Sequence, residues 1–241
     1  FFHHALLSAP DEDRVVLNLG GIANLTWLPC EGDPEAVVAF DVGPANALLD
    51  AAVVRASGGR ERMDRDGARA AAGKLQADWL AELLEDAYLR RPPPKSTGRE
   101  HYGPTEAGAW VERARREGRT LEDLLATLVA FSAEAVARAL CDFLPRAPAR
   151  VLLGGGGARN PVLVEALRQR LEGPRVEPMD AFGVPADAAE AMAFSLMGRN
   201  ALLGIPNQIA RATGARGARV LGELVPGRGG LRWSRPSFPG G

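Results

Sequence analysis

The amino-acid sequence predicts an α/β protein: a mixed five-stranded sheet flanked by helices, with a helical insert. Two observations predict this fold. Three short β-branched, apolar runs separated by glycine or polar turns come first, and a strand, a glycine turn, a helix, a strand and a helix come last. The 241 residues are 46% hydrophobic, which is enough to bury a core, and the formal net charge of -1 gives no reason to expect nucleic acid or an anionic membrane as a partner.

The first half of the chain predicts a meander followed by helices. RVVLNLGG, IANLTWLP and AVVAFDVG each predict a strand, and PANALLDAAVVRAS predicts a helix whose proline sits in the first turn. Residues 64–90 predict further helix, which the prolines of RRPPPKSTGRE end because they lack amide donors. We place the insert at about residues 60–120. Five apolar side chains are expected on one face of the second helix: Leu75, Trp79, Leu80, Leu83 and Leu84.

The second half predicts a long helix and two crossover units. Residues 120–143 carry apolar side chains at helical spacing, with Thr120 as the N-cap. ARVLLGGGGARNPVLVEALRQRLEG predicts strand, glycine turn and helix; RVEP predicts a short strand; and a last helix ends at Gly204. The element order matches the ribonuclease H-like half that occurs twice in actin-like phosphotransferases. We expect one domain over residues 1–226, and a loose tail over 227–241 because that stretch is rich in glycine, proline and arginine.

Several classes of protein are not indicated. The cysteines, Cys30 and Cys141, are far apart, and His3, His4 and His101 lack ligand spacing, so we expect no disulfide framework and no metal site built from them. Cysteines without a disulfide framework fit a reducing compartment, so we expect a cytoplasmic protein. No run approaches about 18 apolar residues, so we expect no membrane span. The chain opens on FFHHALL without methionine, so we expect it to be incomplete at its N-terminus.

A glycine pair separates the first two predicted strands. Gly20 and Gly21, in NLGGIANLT, are typical of an ordinary hairpin. The alternative is a tight turn whose bare amides approach a phosphate, with Asn24 adding a polar contact.

A second glycine turn, LLGGGGARNP, follows a strand and opens a helix. Unpaired amides at such a helix start suit an anion or a nucleotide, and Asn160 is a natural cap for the helix. The glycines fit neither a dinucleotide fingerprint nor a Walker loop. A loose turn is the alternative interpretation.

One acid, Asp41, stands between an apolar strand and the break formed by Gly43 and Pro44, in FDVGPAN. It is either a turn-forming aspartate or a working carboxylate held at a strand end. The residues alone leave both interpretations open.

Seven stretches together resemble the successive signatures of the anhydro-N-acetylmuramic acid kinase family: FHHALL, LNLGGIANLT, FDVGPANALLD, PPPKSTGRE, LGGGGARNP, GVPADAAEAMAF and TGARGARVLG. The resemblance runs from about residue 2 to residue 226. It implies an actin-like fold, use of ATP and Mg²⁺, and cytoplasmic homodimers that take part in peptidoglycan recycling. Such enzymes hydrolyse the 1,6-anhydro ring of anhydro-N-acetylmuramic acid and phosphorylate oxygen 6, giving N-acetylmuramic acid 6-phosphate. They also carry a phosphate loop that would precede Phe1, so we expect this chain not to turn over alone.

The resemblance also assigns roles to single residues. Asp41 matches the general base, and Glu190 matches a glutamate that supports the same water. Glu190 is also placed to complement the dipole of the last helix. The remaining positions are nucleotide-binding Gly20, Gly21, Asn24, Gly155, Gly156 and Asn160, and substrate-binding Gly43 and Asn46.

Three points stay open. Val42 and Ala45 depart from the family pattern in FDVGPAN and could narrow the site. The role of KSTGRE, with Lys95 and Arg99, is unassigned between substrate, a further domain, a dimer partner and a structural role. The alternatives to the named activity are another actin-like sugar or carboxylate kinase and a non-catalytic, nucleotide-binding or dimerising remnant.

Overall fold

The computed structural model describes residues 1–225 and residue 228. The strands are β1 (Arg14–Leu19), β2 (Ile22–Leu28), β3 (Val38–Pro44), β4 (Arg150–Gly154) and β5 (Arg175–Pro178). The helices are α1 (Phe2–Leu7), α2 (Ala47–Ser57), α3 (Ala68–Ala72), α4 (Ala77–Leu83), α5 (Pro104–Glu117), α6 (Leu121–Phe143), α7 (Pro161–Arg170), α8 (Ala189–Leu203) and α9 (Ala210–Thr213). The predicted tail, apart from residue 228, lies outside the described residues.

The five strands form one mixed sheet in the order β3-β2-β1-β4-β5. β2 runs antiparallel to β1 and β3, whereas β4 runs parallel to β1 and to β5. This is the ribonuclease H-like, actin-like arrangement that the element order predicts. Because β1, β3, β4 and β5 all point the same way, they end at one edge together with the β1–β2 turn. We call this the carboxyl edge.

Helices cover both faces of the sheet. On one face Leu17 and Val151 pack in a large core with Leu124 and Leu128 of α6. On the other face Leu152 packs in a smaller core beneath α1 and α9, as alternation along a strand requires. Among the described helices, α6 alone is long and apolar enough to cross a membrane by length and composition, and 67% of its apolar window is buried inside the protein. It is the central helix of the core.

Most predicted elements are confirmed. The three-stranded meander, the two crossover strands and the insert all form, with α3, α4 and α5 in the insert. Thr120 caps α6 through a 3.1 Å bond from the Asp123 amide to its Oγ1, and α8 ends at Gly204 in the left-handed conformation.

Two predictions about helices are wrong. Residues 64–90 do not form one helix, because α3 ends before Gly73, which packs so closely on the Glu122 carbonyl that a Cβ would overlap it. The turn that follows leaves Leu75 53% exposed, although Trp79 is fully buried. Pro44 ends β3 rather than opening α2.

Ion pairs connect the strands near the edge of the sheet opposite the carboxyl edge. Glu12 accepts hydrogen bonds from Arg14, at 2.8 Å, and from Arg150, at 2.6 Å, and these arginines begin β1 and β4. Arg150 also pairs with Glu177 of β5. Ion pairs therefore link three neighbouring strands, β1, β4 and β5.

Candidate active site at the carboxyl edge

Asp41 lies inside β3, three positions before the strand ends, so the prediction of a strand-end acid is wrong. The ladder pairs Asp41 with Asn24 and then Gly43 with Ala23, which leaves Val42 as an extra residue in a β-bulge. A bulge adds twist and redirects side chains locally. The sequence FDVG shows no sign of it because an apolar residue fills the extra position.

Every polar atom of Asp41 is bonded to a distant part of the chain. Its Oδ1 accepts from Asn24 Nδ2 at 2.8 Å, and its Oδ2 accepts from Ser96 Oγ at 2.8 Å and from the Thr97 amide at 3.0 Å. A turn-forming aspartate bonds the backbone just after it, whereas these partners are 17 to 56 positions away. The turn-forming interpretation therefore does not fit, and Asp41 is a half-buried carboxylate held from two sides.

The KSTGRE motif supplies one of those sides. The Asp41 amide donates to the Lys95 carbonyl at 3.2 Å, so residues 95–97 run along the outer flank of β3. On the same strand, the Asp41 carbonyl accepts a 2.7 Å bond from the Tyr88 hydroxyl. The motif is thus built into the support of Asp41.

Lys95 is buried, with only 6% of its surface exposed. Its ammonium donates to the carbonyls of Tyr88, at 3.3 Å, and Leu89, at 3.1 Å. It also lies 4.6 Å from the ring centroid of Phe143 and 4.8 Å from that of Tyr88, within range of a cation–π interaction. Burial lowers its pKa from 10.5 to about 8.

A cavity of about 440 Å³ opens between the carboxyl edge and α8. Its walls carry Asn18 from β1 and Asn24 from β2, and the opposite side carries Glu190 from α8. Because Asn24 also bonds Asp41, the carboxylate is linked directly to the cavity wall. The other lining residues are Phe2, His3, Gly155, Gly156, Arg159, Met179, Ala186, Asp187, Ala189 and Ala193.

The glycine turn after β4 forms the floor of this cavity, and its glycines differ in the space available for a Cβ atom. At Gly155, with φ +77°, a Cβ would lie 2.5 Å from Asn18 Oδ1 and 2.9 Å from the Leu19 carbonyl carbon. At Gly157 a Cβ would lie 2.8 Å from Asn46 Nδ2. At Gly156 a Cβ would meet no heavy atom within 4 Å, so glycine there leaves free space in the cavity itself.

Glu190 is exposed in the first turn of α8, where a negative charge also complements the helix dipole. The neighbouring acid, Asp187, pairs with Arg159 across the cavity mouth. Both partners of that pair are strongly exposed, so the pair contributes little to stability.

The β1–β2 turn and Asn46 support each other outside the cavity lining. The Gly20 carbonyl accepts from the Asn46 amide at 3.2 Å and from its Nδ2 at 2.8 Å. The Gly21 carbonyl accepts from the amides of Ala45 and Ala47, each at 2.9 Å. The side-chain amide nitrogen of Asn46 is therefore committed to holding the turn against the start of α2.

Four further positions, two predicted and two divergent, also lie away from the residues that line the cavity. Asn160 caps α7, as predicted, by accepting from the Val162 amide at 3.0 Å. Gly43 is buried, and a Cβ there would lie 3.2 Å from Leu89 Cδ2. Val42 and Ala45 are each 1% exposed and belong to the large core, so neither narrows the cavity.

Sequence reasoning missed three residues that the structure places at the site. His3 lines the cavity and bonds Thr26 Oγ1 at 3.1 Å, and burial lowers its pKa to about 4, so the imidazole is neutral at neutral pH. Ser96 and Thr97 hold Asp41. Both segments belong to recognised signatures, yet nothing in their spacing shows that the fold brings them to β2 and β3.

In the described part of the chain, one group of metal-ligand side chains clusters closely: Asp13, Cys30 and Glu31. Arg146 donates to Asp13 at 2.9 Å and to Glu31 at 2.9 Å, so a guanidinium already occupies the place of a cation between these carboxylates. It therefore does not fit a metal ion.

Comparison with known proteins first gives the class: the matching family model is one of kinases, described as anhydro-N-acetylmuramic acid kinase, and it covers residues 1–227. The chain belongs to the anhydro-N-acetylmuramic acid kinase family.

Curated relatives bearing that name agree. One from Acidithiobacillus ferrooxidans is 43% identical over 93% of this chain and 56% of its own length, and one from Xanthomonas axonopodis pv. citri is 45% identical over 93% of this chain and 58% of its own length. The chain thus spans a little over half the length of these relatives. Among solved structures, the activator of the 2-hydroxyisocaproyl-CoA dehydratase from Clostridium difficile with bound ADPNP covers 82% of this chain and 67% of its own, at 16% identity and a TM-score of 0.41. At that level the similarity supports no conclusion.

Proposed function

We propose that this chain, as one domain over residues 1–226, is part of an ATP-dependent anhydro-N-acetylmuramic acid kinase. It carries the carboxylate that takes a proton from the attacking water and the residues that bind the adenosine of ATP. The reaction opens the 1,6-anhydro ring with water and transfers a phosphoryl group to oxygen 6, giving N-acetylmuramic acid 6-phosphate. The proposal extends to Mg²⁺ as the metal, a homodimer as the assembly and the cytoplasm as the compartment of peptidoglycan recycling.

One observation carries the proposal: the Asp41 carboxylate, held by three hydrogen bonds, is joined through Asn24 to a cavity that a glycine turn and Glu190 also line. A general base must be fixed in position and within reach of the substrate. Distant elements fix Asp41, and Asn24 ties it to the cavity wall.

The proton and electron movements follow from this placement. Asp41 accepts a proton from water while the water oxygen forms its bond to the anomeric carbon. The bond from that carbon to oxygen 6 breaks, and its electron pair stays on oxygen 6, which bonds the transferred phosphorus as ADP leaves. Asp41 then returns the proton to solvent. We place Glu190 opposite as a second carboxylate that orients the water.

The cavity floor fits a nucleotide. The open space at Gly156 and the bare backbone of the turn give a flat surface for adenosine, whereas Gly155 and Gly157 pack on β1. We assign the phosphates to Gly20 and Gly21, which lie at the same edge beside the cavity, and Asn160 caps the helix behind the glycine turn. ATP supplies the phosphoryl group, and Mg²⁺ in such sites is held by phosphates and one or two carboxylates, so no dedicated cluster of ligands is needed.

The test is an assay of the full-length protein with anhydro-N-acetylmuramic acid, ATP and Mg²⁺, with the product identified by mass spectrometry. We expect a sugar 6-phosphate that has gained one water. Phosphorylation of a reducing sugar or a carboxylic acid instead would indicate another actin-like kinase. Nucleotide binding without turnover of any sugar would indicate a non-catalytic protein.

The Asp41→Asn variant tests the role of the carboxylate. We expect sugar phosphorylation to fall by about 10²–10⁴-fold, the usual contribution of a general base, while ATP binding stays within about twofold. The measurement is steady-state kinetics beside a nucleotide titration. Ordinary turnover by this variant would remove Asp41 from the mechanism.

A further inference from the structure

The KSTGRE segment has no assigned role in the reaction, yet it contacts the side of Asp41 that faces away from the cavity. β3 has β2 on one side and residues 95–97 on the other. Oδ1 of Asp41 points to the β2 side, where Asn24 lines the cavity, and Oδ2 points to the segment. The two carboxylate oxygens therefore have different environments.

The hydrogen bonds divide the two oxygens further. A carboxylate oxygen offers about two lone-pair sites. Oδ2 receives two donors, Ser96 Oγ at 2.8 Å and the Thr97 amide at 3.0 Å, so its sites are filled. Oδ1 receives one, from Asn24 Nδ2 at 2.8 Å, and keeps one site. With respect to the described residues, Oδ1 is thus the oxygen that keeps a lone pair for a proton.

The segment is held in place by the buried side chain of Lys95, and burying that ammonium is energetically unfavourable. Lys95 buries its ammonium against two carbonyls and the rings of Tyr88 and Phe143, and among the described residues no carboxylate lies within ion-pair distance of it. Asp86 and Asp142 act on this ammonium only at longer range, and removing an ammonium from water without a direct ion-pair partner is unfavourable. Local costs of this kind are typical of functional sites. Here the anchored Lys95 fixes the backbone that presents the two donors to Oδ2.

We propose that Asp41 takes its proton on Oδ1, and that residues 95–97 are the positioning element that commits Oδ2 and so sets which oxygen acts. This rests on the function proposed above. Ser96 and Thr97 act through Asp41 and touch no reacting atom. Their loss leaves Asp41 present but able to rotate, so that Oδ2 also becomes available and the reactive oxygen loses its fixed direction.

The experiment compares Ser96→Ala and Ser96→Thr in the full-length protein with anhydro-N-acetylmuramic acid and ATP. We expect Ser96→Ala to lower kcat about tenfold while KM for both substrates stays within about twofold, because the hydroxyl holds the base and not the ligands. Ser96→Thr keeps a hydroxyl and is expected to restore kcat to within about threefold. The matched control is Ser195→Ala, which removes an exposed hydroxyl bonded to the Ala191 carbonyl and is expected to change neither constant.

Each other outcome has a definite meaning. An unchanged or raised kcat in Ser96→Ala, with Asp41→Asn inactive, overturns the positioning role and leaves the proposed function intact. A loss that Ser96→Thr does not rescue, or a loss that appears in KM, also overturns it, because the hydroxyl is then not what matters. An active Asp41→Asn variant instead removes the proposed function itself, so the two failures are distinguishable.

Discussion

The glycine turn at residues 154–157 and the segment at residues 95–97 both serve the carboxyl edge, but by opposite means. The turn works because side chains are missing: a Cβ at Gly155 or Gly157 would collide with β1 or with Asn46, and the space at Gly156 stays open. The segment works because side chains are present, with an ammonium as its anchor and a hydroxyl as its donor. At one edge of the sheet, therefore, a glycine-rich segment provides open space and a polar segment positions a carboxylate.

The largest expected effect is on the turn. Gly155→Ala places a methyl group against Asn18 and Leu19 and forces a non-glycine residue to φ +77°. Backbone strain and overlap each cost about 1–3 kcal/mol, so we expect the free energy of unfolding to fall by about 3 kcal/mol. Denaturant unfolding of the full-length protein measures it. A change below about 1 kcal/mol would show that the turn does not pack on β1 as described.

The neighbouring glycine is the matched control and the second prediction. Gly156→Ala adds a methyl group where nothing lies within 4 Å, so stability should stay within about 1 kcal/mol. Because that methyl group enters the cavity, we expect nucleotide affinity to fall about tenfold, which is about 1.4 kcal/mol. Calorimetric titration with ADP or a non-hydrolysable ATP analogue measures the affinity. Unaltered binding would place the nucleotide elsewhere.

The segment is tested through its anchor. The pKa of Lys95 is about 8 in the folded protein against an ordinary 10.5, so below pH 8 both folded and unfolded chains carry the proton and the burial cost is complete. Above pH 8 the unfolded chain binds more protons, so the free energy of unfolding should gain an upward contribution as pH rises. Burial raises the pKa of Tyr88 and of Tyr102, which opposes this rise only near pH 10 and above.

Lys95→Met should lose this contribution. We expect its stability, measured by denaturant unfolding from pH 7.5 to about pH 9.5, to gain less with pH than that of the unsubstituted protein. The control is Lys74→Met, because Lys74 is the other lysine of the chain and is exposed. This variant should keep the original dependence of stability on pH. Parallel curves for all three proteins would show that Lys95 is not buried as a cation.

The smallest expected loss of stability is at the β1–β2 turn. This turn is also rich in glycine, but its Gly20 is not packed closely against other atoms as Gly155 is. At Gly20 a Cβ would meet nothing closer than the Ile22 carbonyl oxygen at 3.5 Å, an ordinary contact. Gly20→Ala should therefore cost less than about 1 kcal/mol, by thermal unfolding. Any loss of nucleotide affinity in that variant then reports on the ligand rather than on the fold, whereas a large loss of stability would show a tighter turn than the one described.

The sequence predicted the order of the elements better than their surroundings. The meander, the crossovers and the Thr120 cap follow from periodicity and capping, which act within a few residues. The bulge at Val42 and the break at Gly73 do not, because each depends on a neighbour brought close only by the folded chain. The position of the Arg113 guanidinium, 4.9 Å from the ring centroid of Trp110, likewise depends on tertiary packing.

The candidate site divides in the same way. Asp41, Glu190, Asn24, Gly155 and Gly156 were proposed from recognised motifs; in the structure the last four line one cavity, and Asp41 bonds Asn24. The partners that hold Asp41 could not be predicted, since Ser96 is 55 positions away and reaches it across the flank of β3. A motif indicates that a residue matters, whereas its contacts arise from tertiary packing.

The ion pairs of Glu12 with Arg14 and Arg150 lie far from all of the substituted positions. A slip of one position between β1 and β4 would turn the side chains of one strand to the wrong face, and the bonds of Glu12 to Arg14 and Arg150 favour the observed register together with the buried apolar residues. Strand alignment is thus supported at a distance from the cavity. The variants at Ser96, Asp41 and the glycine turn leave these bonds intact, so each can report on its own position while the strands stay aligned.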